Sequence, residues 1–168
     1  MCLEKTGSLG ALARCVLIFK KTEDMLMEPW LYHYEEVESL ESVDEALSVA
    51  LRIPLEKDAV KSIYLKHVID EIRISGKYMA ITNDVLFLHT RDHESVKRPF
   101  ISYIYTKKPM DFYDKDIKHV FAFGSLDDDT HRLMLSALSY YIGELREDDD
   151  LKDKDAMKKW FEKHYFNN

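Results

Sequence analysis

A change of hydrophobic period near Gly76 constrains this chain more than any other feature. Upstream of it, apolar residues recur every three or four positions. Downstream they crowd into short runs of β-branched and aromatic residues. The first pattern belongs to helices with one buried stripe and the second to strands. A chain that holds both in separate blocks has to lay helices on a sheet.

The helical block opens at Ser42-Val43-Asp44-Glu45, a capping box with a hydroxyl at the cap and a carboxylate three residues on. Val43, Ala46, Leu47, Ala50 and Leu51 follow at helical spacing, and Pro54 is expected to stop the helix. A second helix is expected over 59–74, on the spacing of Val60, Ile63, Tyr64, His67, Val68 and Ile72, with Gly76 as its stop. Strands are expected over 78–81, 85–89, 100–106 and 119–126, and Asn83-Asp84 marks a turn between the first two. Ile101-Ser102-Tyr103-Ile104-Tyr105 suits a strand covered on both faces. A further helix, capped by Asp128 or Asp129, carries Leu133, Met134, Ala137, Leu138, Tyr141, Ile142 and Leu145. Residues 144–155 read as a solvated acidic link. A short terminal helix over 156–166 puts Met157, Trp160 and Phe161 on one stripe, expected to fold back on the core; a homodimer contact is the other use of such a stripe. The fold class is therefore α/β, a mixed β-sheet flanked by helices in a sandwich. Residues 1–38 read as an N-terminal extension of uncertain structure, and 39–168 as the domain.

The 168 residues suit one domain, and 46% apolar residues supply one sizeable core. The net charge of −7, with no long basic block and only isolated pairs of adjacent lysines, argues against nucleic acid or an anionic membrane as a partner. Cys2 and Cys15 have no metal-ligand spacing and read as reduced thiols. The apolar stretch over 9–19 is broken by Arg14, is too short for a membrane span and lacks a signal-peptide cleavage site, so a cytoplasmic protein with no membrane insertion is expected.

Two histidines carry the chemistry. His89 ends the strand-like run Val85-Leu86-Phe87-Leu88-His89-Thr90-Arg91, and His131 stands in an opening helical turn after Asp127-Asp128-Asp129-Thr130. A neutral imidazole is a nucleophile near neutral pH, and a helix N-terminus favours a phosphate. The same helix end disfavours imidazolium, so His131 is expected to serve as a neutral hydrogen-bond donor. Arg91, as a bidentate cation, and Thr90, as a hydroxyl, are the candidate phosphate-stabilising groups. Phe87 or Leu88 is expected to contribute exposed apolar surface to a docking face. His89 and His93 are four apart, which invites zinc. That reading needs a helix where a strand is expected, and no third ligand follows, so no metal and no cofactor are expected. Asp127-Asp128-Asp129 lacks the glycine and distal glutamate of a calcium loop and reads as a helix cap. His67 reads as packed or solvated on its helix; His33, His119 and His164 have no chemical context in the sequence.

An ordered series of segments resembles the enzyme IIA domain of the bacterial phosphoenolpyruvate-dependent sugar phosphotransferase system, of the fructose/mannitol-type superfamily and nearest its ascorbate-type branch. The resemblance runs from about Ser42 to Glu147. It rests on the Ala-rich first helix, Gly76-Lys77-Tyr78-Met79-Ala80-Ile81 at a Gly-Pro-Tyr opening, and Val85 to Arg91 at a Pro-His-Ala-Arg signature. Val96-Lys97-Arg98-Pro99, Lys108-Pro109-Met110-Asp111-Phe112 and the strand, acidic loop and histidine from Phe121 to His131 complete it. The resemblance implies a phosphohistidine phosphotransferase. His89 would take phosphoryl from the phosphocarrier HPr, with His131 beside it, and pass it to a cysteine of enzyme IIB for sugar or sugar-acid uptake. The chain departs from the family at Leu88, where a proline is usual, at Leu86 and Phe87, where residues are small, and at Asp84, where a glycine is usual. Those departures motivate the alternative of a diverged IIA-like regulatory or sensing module that binds partners without relaying phosphate.

Overall fold

The strand residues alternate between two helical layers, and that alternation builds the fold. The computed structural model describes residues 30–166. Its strands are β1 (Leu31–Val37), β2 (Val85–Leu88), β3 (Phe100–Phe112) and β4 (Lys115–Gly124); its α-helices are α1 (Val43–Glu56), α2 (Ile63–Ser75), α3 (Asp128–Leu145) and α4 (Lys154–Phe161). The strands form one mixed sheet in the order β1-β3-β4-β2. β1 runs parallel to β3, β2 runs parallel to β4, and β3 and β4 form an antiparallel ribbon. Leu86, Leu88, Phe100, Ile104, Val120 and Ala122 point to one face, where they pack with Leu47, Leu51, Tyr64 and Val68 of α1 and α2. Val85, Phe87, Ile101, Tyr103, Phe121 and Phe123 point to the other and pack with Met134, Leu138, Met157 and Phe161 of α3 and α4. The mixed sheet flanked by helices is thus the sandwich that the two hydrophobic periods require.

Four local expectations are corrected. Residues 78–81 are not a strand: Gly76–Met79 forms a 3₁₀ turn, and Ala80 makes one isolated bridge to Leu86. Gly76 does end α2, at φ 51°, in the left-handed region that favours glycine. Pro54 does not stop α1, which continues to Glu56; Lys57 N–H closes the end on the Ile53 carbonyl. α2 begins at Ile63, because Ala59 and Val60 are held in a turn: the Ala59 carbonyl accepts the N–H groups of Lys97 and Arg98, and Val60 bridges Val96. The last two correct the helix ends. The fourth is β1, which lies on the N-terminal side of the expected boundary at residue 38 yet pairs with β3 over its whole length, from Leu31 opposite Phe100 to Val37 opposite Thr106. Cys2, Cys15 and the apolar stretch over 9–19 lie outside the described residues. Met157, Trp160 and Phe161 are buried, so the terminal stripe folds back on the domain.

Candidate active site

β2 and β4 are parallel neighbours, Leu88 opposite Ala122, so both deliver their next residues to the same end of the sheet. His89 follows β2 directly, and its ring stacks on Phe123 with centroids 4.7 Å apart and planes 20° apart. Gly124 ends β4 where a Cβ would come within 2.5 Å of Phe100 Cε1, so this end of the sheet closes tightly only around a glycine. Beyond it the chain turns into α3. Asp127, not Asp128 or Asp129, is the cap: its Oδ1 accepts the Thr130 N–H at 2.7 Å. His131 then falls in the first helical turn, only 1% exposed, with its ring centroid 5.0 Å from that of His89. The two histidines singled out in the sequence therefore meet.

The loop after His89 is tied down from both sides. The Tyr64 hydroxyl donates to the Phe123 carbonyl at 2.6 Å and also meets the backbone of Thr90. Asp92 receives both His67 Nδ1 and the Ser95 hydroxyl in very short contacts. His93 reaches across to the α3 side, with Nδ1 3.0 Å from the Ser125 carbonyl and Nε2 3.0 Å from Asp128 Oδ1. Both partners only accept, so both ring nitrogens donate, and His93 is held as an imidazolium. Burial works against that charge, but the Asp128 carboxylate and the Ser125 carbonyl outweigh it, and the His93 pKa is raised.

The other two rings are pushed the opposite way. Burial, then the neighbouring His131 and Arg91, lowers the His89 pKa to about 4. Burial, then His93 and Arg91, lowers that of His131. Both are neutral near neutral pH. His89 Nδ1 and His131 Nε2 are buried with no hydrogen-bond partner. An unpaired buried nitrogen costs roughly 1–3 kcal/mol, so each calls for a reason in the chemistry of the site.

Arg91 is exposed and makes no ion pair among the described residues, though its charge is felt by His89, His131 and Asp128. Thr90 is half-buried between His89 and Arg91. Phe87 and Leu88 do not supply the docking face: both are buried in the two core layers, and Phe87 packs edge-on against Phe121 and Phe123. Exposed apolar residues on the elements that carry the site include Leu126, Leu133 and Tyr140, with Ile63 at the start of α2. His93 and Ser125 were not singled out as site residues from the sequence. The only signal for His93 was its spacing from His89, which pointed to a metal. Among the described residues no group of three or more His, Cys, Asp or Glu side chains is placed to hold a metal ion, and no helix is long and apolar enough to cross a membrane.

Residues 35–162 match the family model described as "Phosphoenolpyruvate-dependent sugar phosphotransferase system, EIIA 2". The ascorbate-specific PTS system EIIA component of Salmonella typhi is 25% identical over 91 residues, which is 52% of this chain and 59% of that protein. That of Escherichia coli K12 is 25% identical over 95 residues, 55% of this chain and 62% of the relative. The matched stretch thus spans about three fifths of these relatives. Among solved structures, a PTS IIA protein of Streptococcus mutans superposes with a TM-score of 0.64 at 16% identity, covering 91% of this chain and 98% of the other. Enzyme IIA of the E. coli mannitol system, in its complex with phosphorylated enzyme IIB, gives 0.61 at 10% identity, covering 80% and 100%. At such identities the structures establish a shared fold. Together with the family match over most of its length, they show that this chain belongs to the EIIA 2 family of the phosphoenolpyruvate-dependent sugar phosphotransferase system.

Proposed function

We propose that the protein is a phosphocarrier of a sugar phosphotransferase system that takes phosphoryl from HPr on His89 and hands it to a cysteine of enzyme IIB. The observation that carries this reading is the pair of neutral imidazoles with unpartnered buried nitrogens, 5.0 Å apart at the N-terminus of α3. His89 Nδ1 faces the interior, so Nε2 is the reacting nitrogen and the ring proton rests on Nδ1. The Nε2 lone pair forms the new P–N bond while the bond to the donor breaks. In the second step a IIB thiolate forms a P–S bond, and the imidazole leaves with its electron pair. A neutral ring suits both steps: it is nucleophilic without first losing a proton, and, with that proton kept on Nδ1, it departs as neutral imidazole when the P–N bond breaks. Arg91, Thr90, His131 and the α3 N-terminus supply charge and hydrogen bonds to the phosphoryl oxygens. Such a relay operates in the cytoplasm, between soluble partners and a membrane transporter, in uptake of a sugar or sugar acid.

A sensing module that has lost the relay was motivated by Leu86, Phe87 and Leu88. All three side chains are absorbed into the core layers rather than standing over His89, so they give that reading no support.

The test is transfer of labelled phosphoryl from phospho-HPr to wild-type and His89→Ala protein, with acid lability of the label measured. Acid-labile label on the wild type alone is the expected result. Equal behaviour of the two proteins overturns the reading.

A further inference from the structure

Resting on that reading, we propose that His93 is a positioning residue, which acts through Ser125 to fix the tautomer of His131 and so aims an N–H at a phosphoryl group on His89. The chain of contacts is short. Ser125 is buried at the end of β4, and its hydroxyl lies 3.3 Å from His93 Nδ1 and 3.5 Å from His131 Nδ1. His93 has no lone pair to offer, because both nitrogens donate, to the Ser125 carbonyl and to Asp128. Its Nδ1–H is thus the only hydrogen between His93 and the serine, and the hydroxyl oxygen accepts from it. The serine's own hydrogen is then free to turn to its other neighbour, His131 Nδ1. A neutral imidazole that accepts at Nδ1 carries its proton at Nε2. Nε2 is the nitrogen of His131 that is buried with no partner, on the ring that faces His89. The direction of donation set at Asp128 is in this way passed through two side chains to the nitrogen that would meet the phosphoryl oxygens.

Charge adds to this. The loop and first turn of α3 carry Asp127, Asp128 and Asp129, an acidic rim that would repel a phosphate dianion. His93 neutralises Asp128 at that rim, and its ring lies 5.8 Å from His131. The groups facing His131 are therefore His89, His93, Arg91 and Asp128. Burial first, and then the cations among them, keep it in the neutral form that a tautomer choice requires.

The experiment is long-range ¹⁵N–¹H NMR of the unphosphorylated protein at neutral pH, for wild type, His93→Gln and Ser125→Ala, alongside phosphoryl transfer from phospho-HPr. In the wild type, His93 should show two protonated nitrogens, and His131 a protonated Nε2 with a bare Nδ1. In each variant His131 should move toward a mixture of tautomers. Phosphoryl acceptance should fall roughly tenfold, with half-saturation by HPr unchanged. A loss of packing alone would not change a tautomer, and if one variant fails to fold the other decides. The inference is overturned if wild-type His131 carries its proton on Nδ1, or if its tautomer is the same in both variants. A wild type that takes no phosphoryl while its His131 tautomer follows Ser125 and His93 would overturn the phosphocarrier reading, and with it the phosphoryl target proposed for that N–H.

Discussion

The two ends of the sheet each hold a half-buried histidine whose pKa is pushed to about 4, yet their surroundings differ. At the far end His119 Nδ1 meets the Tyr103 hydroxyl at 2.8 Å, and its Nε2 lies 4.0 Å from Asp84. Asp84 is itself held by Arg146 at 2.8 Å, and its carbonyl accepts the His119 N–H. At the near end His89 has a ring stacked on Phe123, another histidine beside it, and no partner for Nδ1. Desolvation is the largest cause of the shift at both ends, so a depressed pKa does not by itself mark a reactive histidine. What separates them is satisfaction: Nδ1 of one ring is tied by a hydrogen bond to Tyr103, whereas Nδ1 of the other is buried without a partner.

Removing each histidine should break the comparison most sharply. His89→Ala should lose phosphoryl acceptance by more than about 10³-fold, since the one other imidazole beside it, His131, has its Nε2 buried and is placed to donate a hydrogen bond rather than to attack. His119→Asn should keep acceptance within about twofold while losing roughly 1–2 kcal/mol of stability with its Tyr103 hydrogen bond. Labelled transfer and urea unfolding of the two variants read these outcomes. If His119→Asn disables transfer in a folded protein, the division between the two ends is wrong.

The next largest effect belongs to His131. His131→Ala should retain the label on His89 but acquire it about 10²-fold more slowly, the usual cost of one preorganised donor. Single-turnover rates against phospho-HPr measure it. An unchanged rate would remove His131 from the site.

Stability should follow pH chiefly through the two most strongly depressed histidines, His89 and His119. In the unfolded chain both titrate near 6.5, and in the folded protein near 4. Between those values the unfolded state binds more protons, so stability is greatest above about pH 6.5 and is lost as pH falls toward 4. After discounting for the partial exposure of both rings, the loss should be about 2–3 kcal/mol, read from urea midpoints at pH 7 and pH 4.5. His119→Asn should flatten the profile; a wild-type profile already flat over that range would contradict both shifts.

The sequence disclosed one end of the molecule better than the other, for physical reasons. Helices α1 and α3 announce themselves by one-sided periodicity and by caps at Ser42 and near Asp127; His131 stands beside the second cap, and His89 ends a run of strand residues. Parallel pairing has no local signature. β1 is an edge strand whose Glu35 and Glu36 are spent on Arg52 and Lys107, so Leu31–Val37 reads as an acidic aromatic segment rather than a strand. The run Tyr78-Met79-Ala80-Ile81 has strand-like residues but no neighbour to pair with beyond one bridge. His93 was opaque for the same reason. Its partners Ser125 and Asp128 come from the far side of β4, 32 and 35 residues away, and only the parallel pairing of β2 with β4 brings them together.

The two arginines give the finest test of the comparison. Arg146 is pinned at the far end, with its guanidinium on Asp84 and 3.3 Å from the Thr82 hydroxyl. Arg91 is exposed at the near end and has no ion pair among the described residues. A cation already matched by a carboxylate gains little from a passing phosphate, whereas an unmatched one gains a charge-assisted bond when the phosphoryl arrives. Arg91→Ala should therefore slow acceptance about tenfold with no measurable change in stability. Arg146→Ala should do the reverse: transfer within about twofold, and a loss of at most about 1 kcal/mol, the usual worth of an exposed pair. Raising salt should shrink the Arg91 effect, because an exposed cation acts through a screened field. Should both variants lower transfer alike, the arginines would be acting through the overall charge of the protein on its encounter with HPr. The near end would then owe its reactivity to the histidines alone.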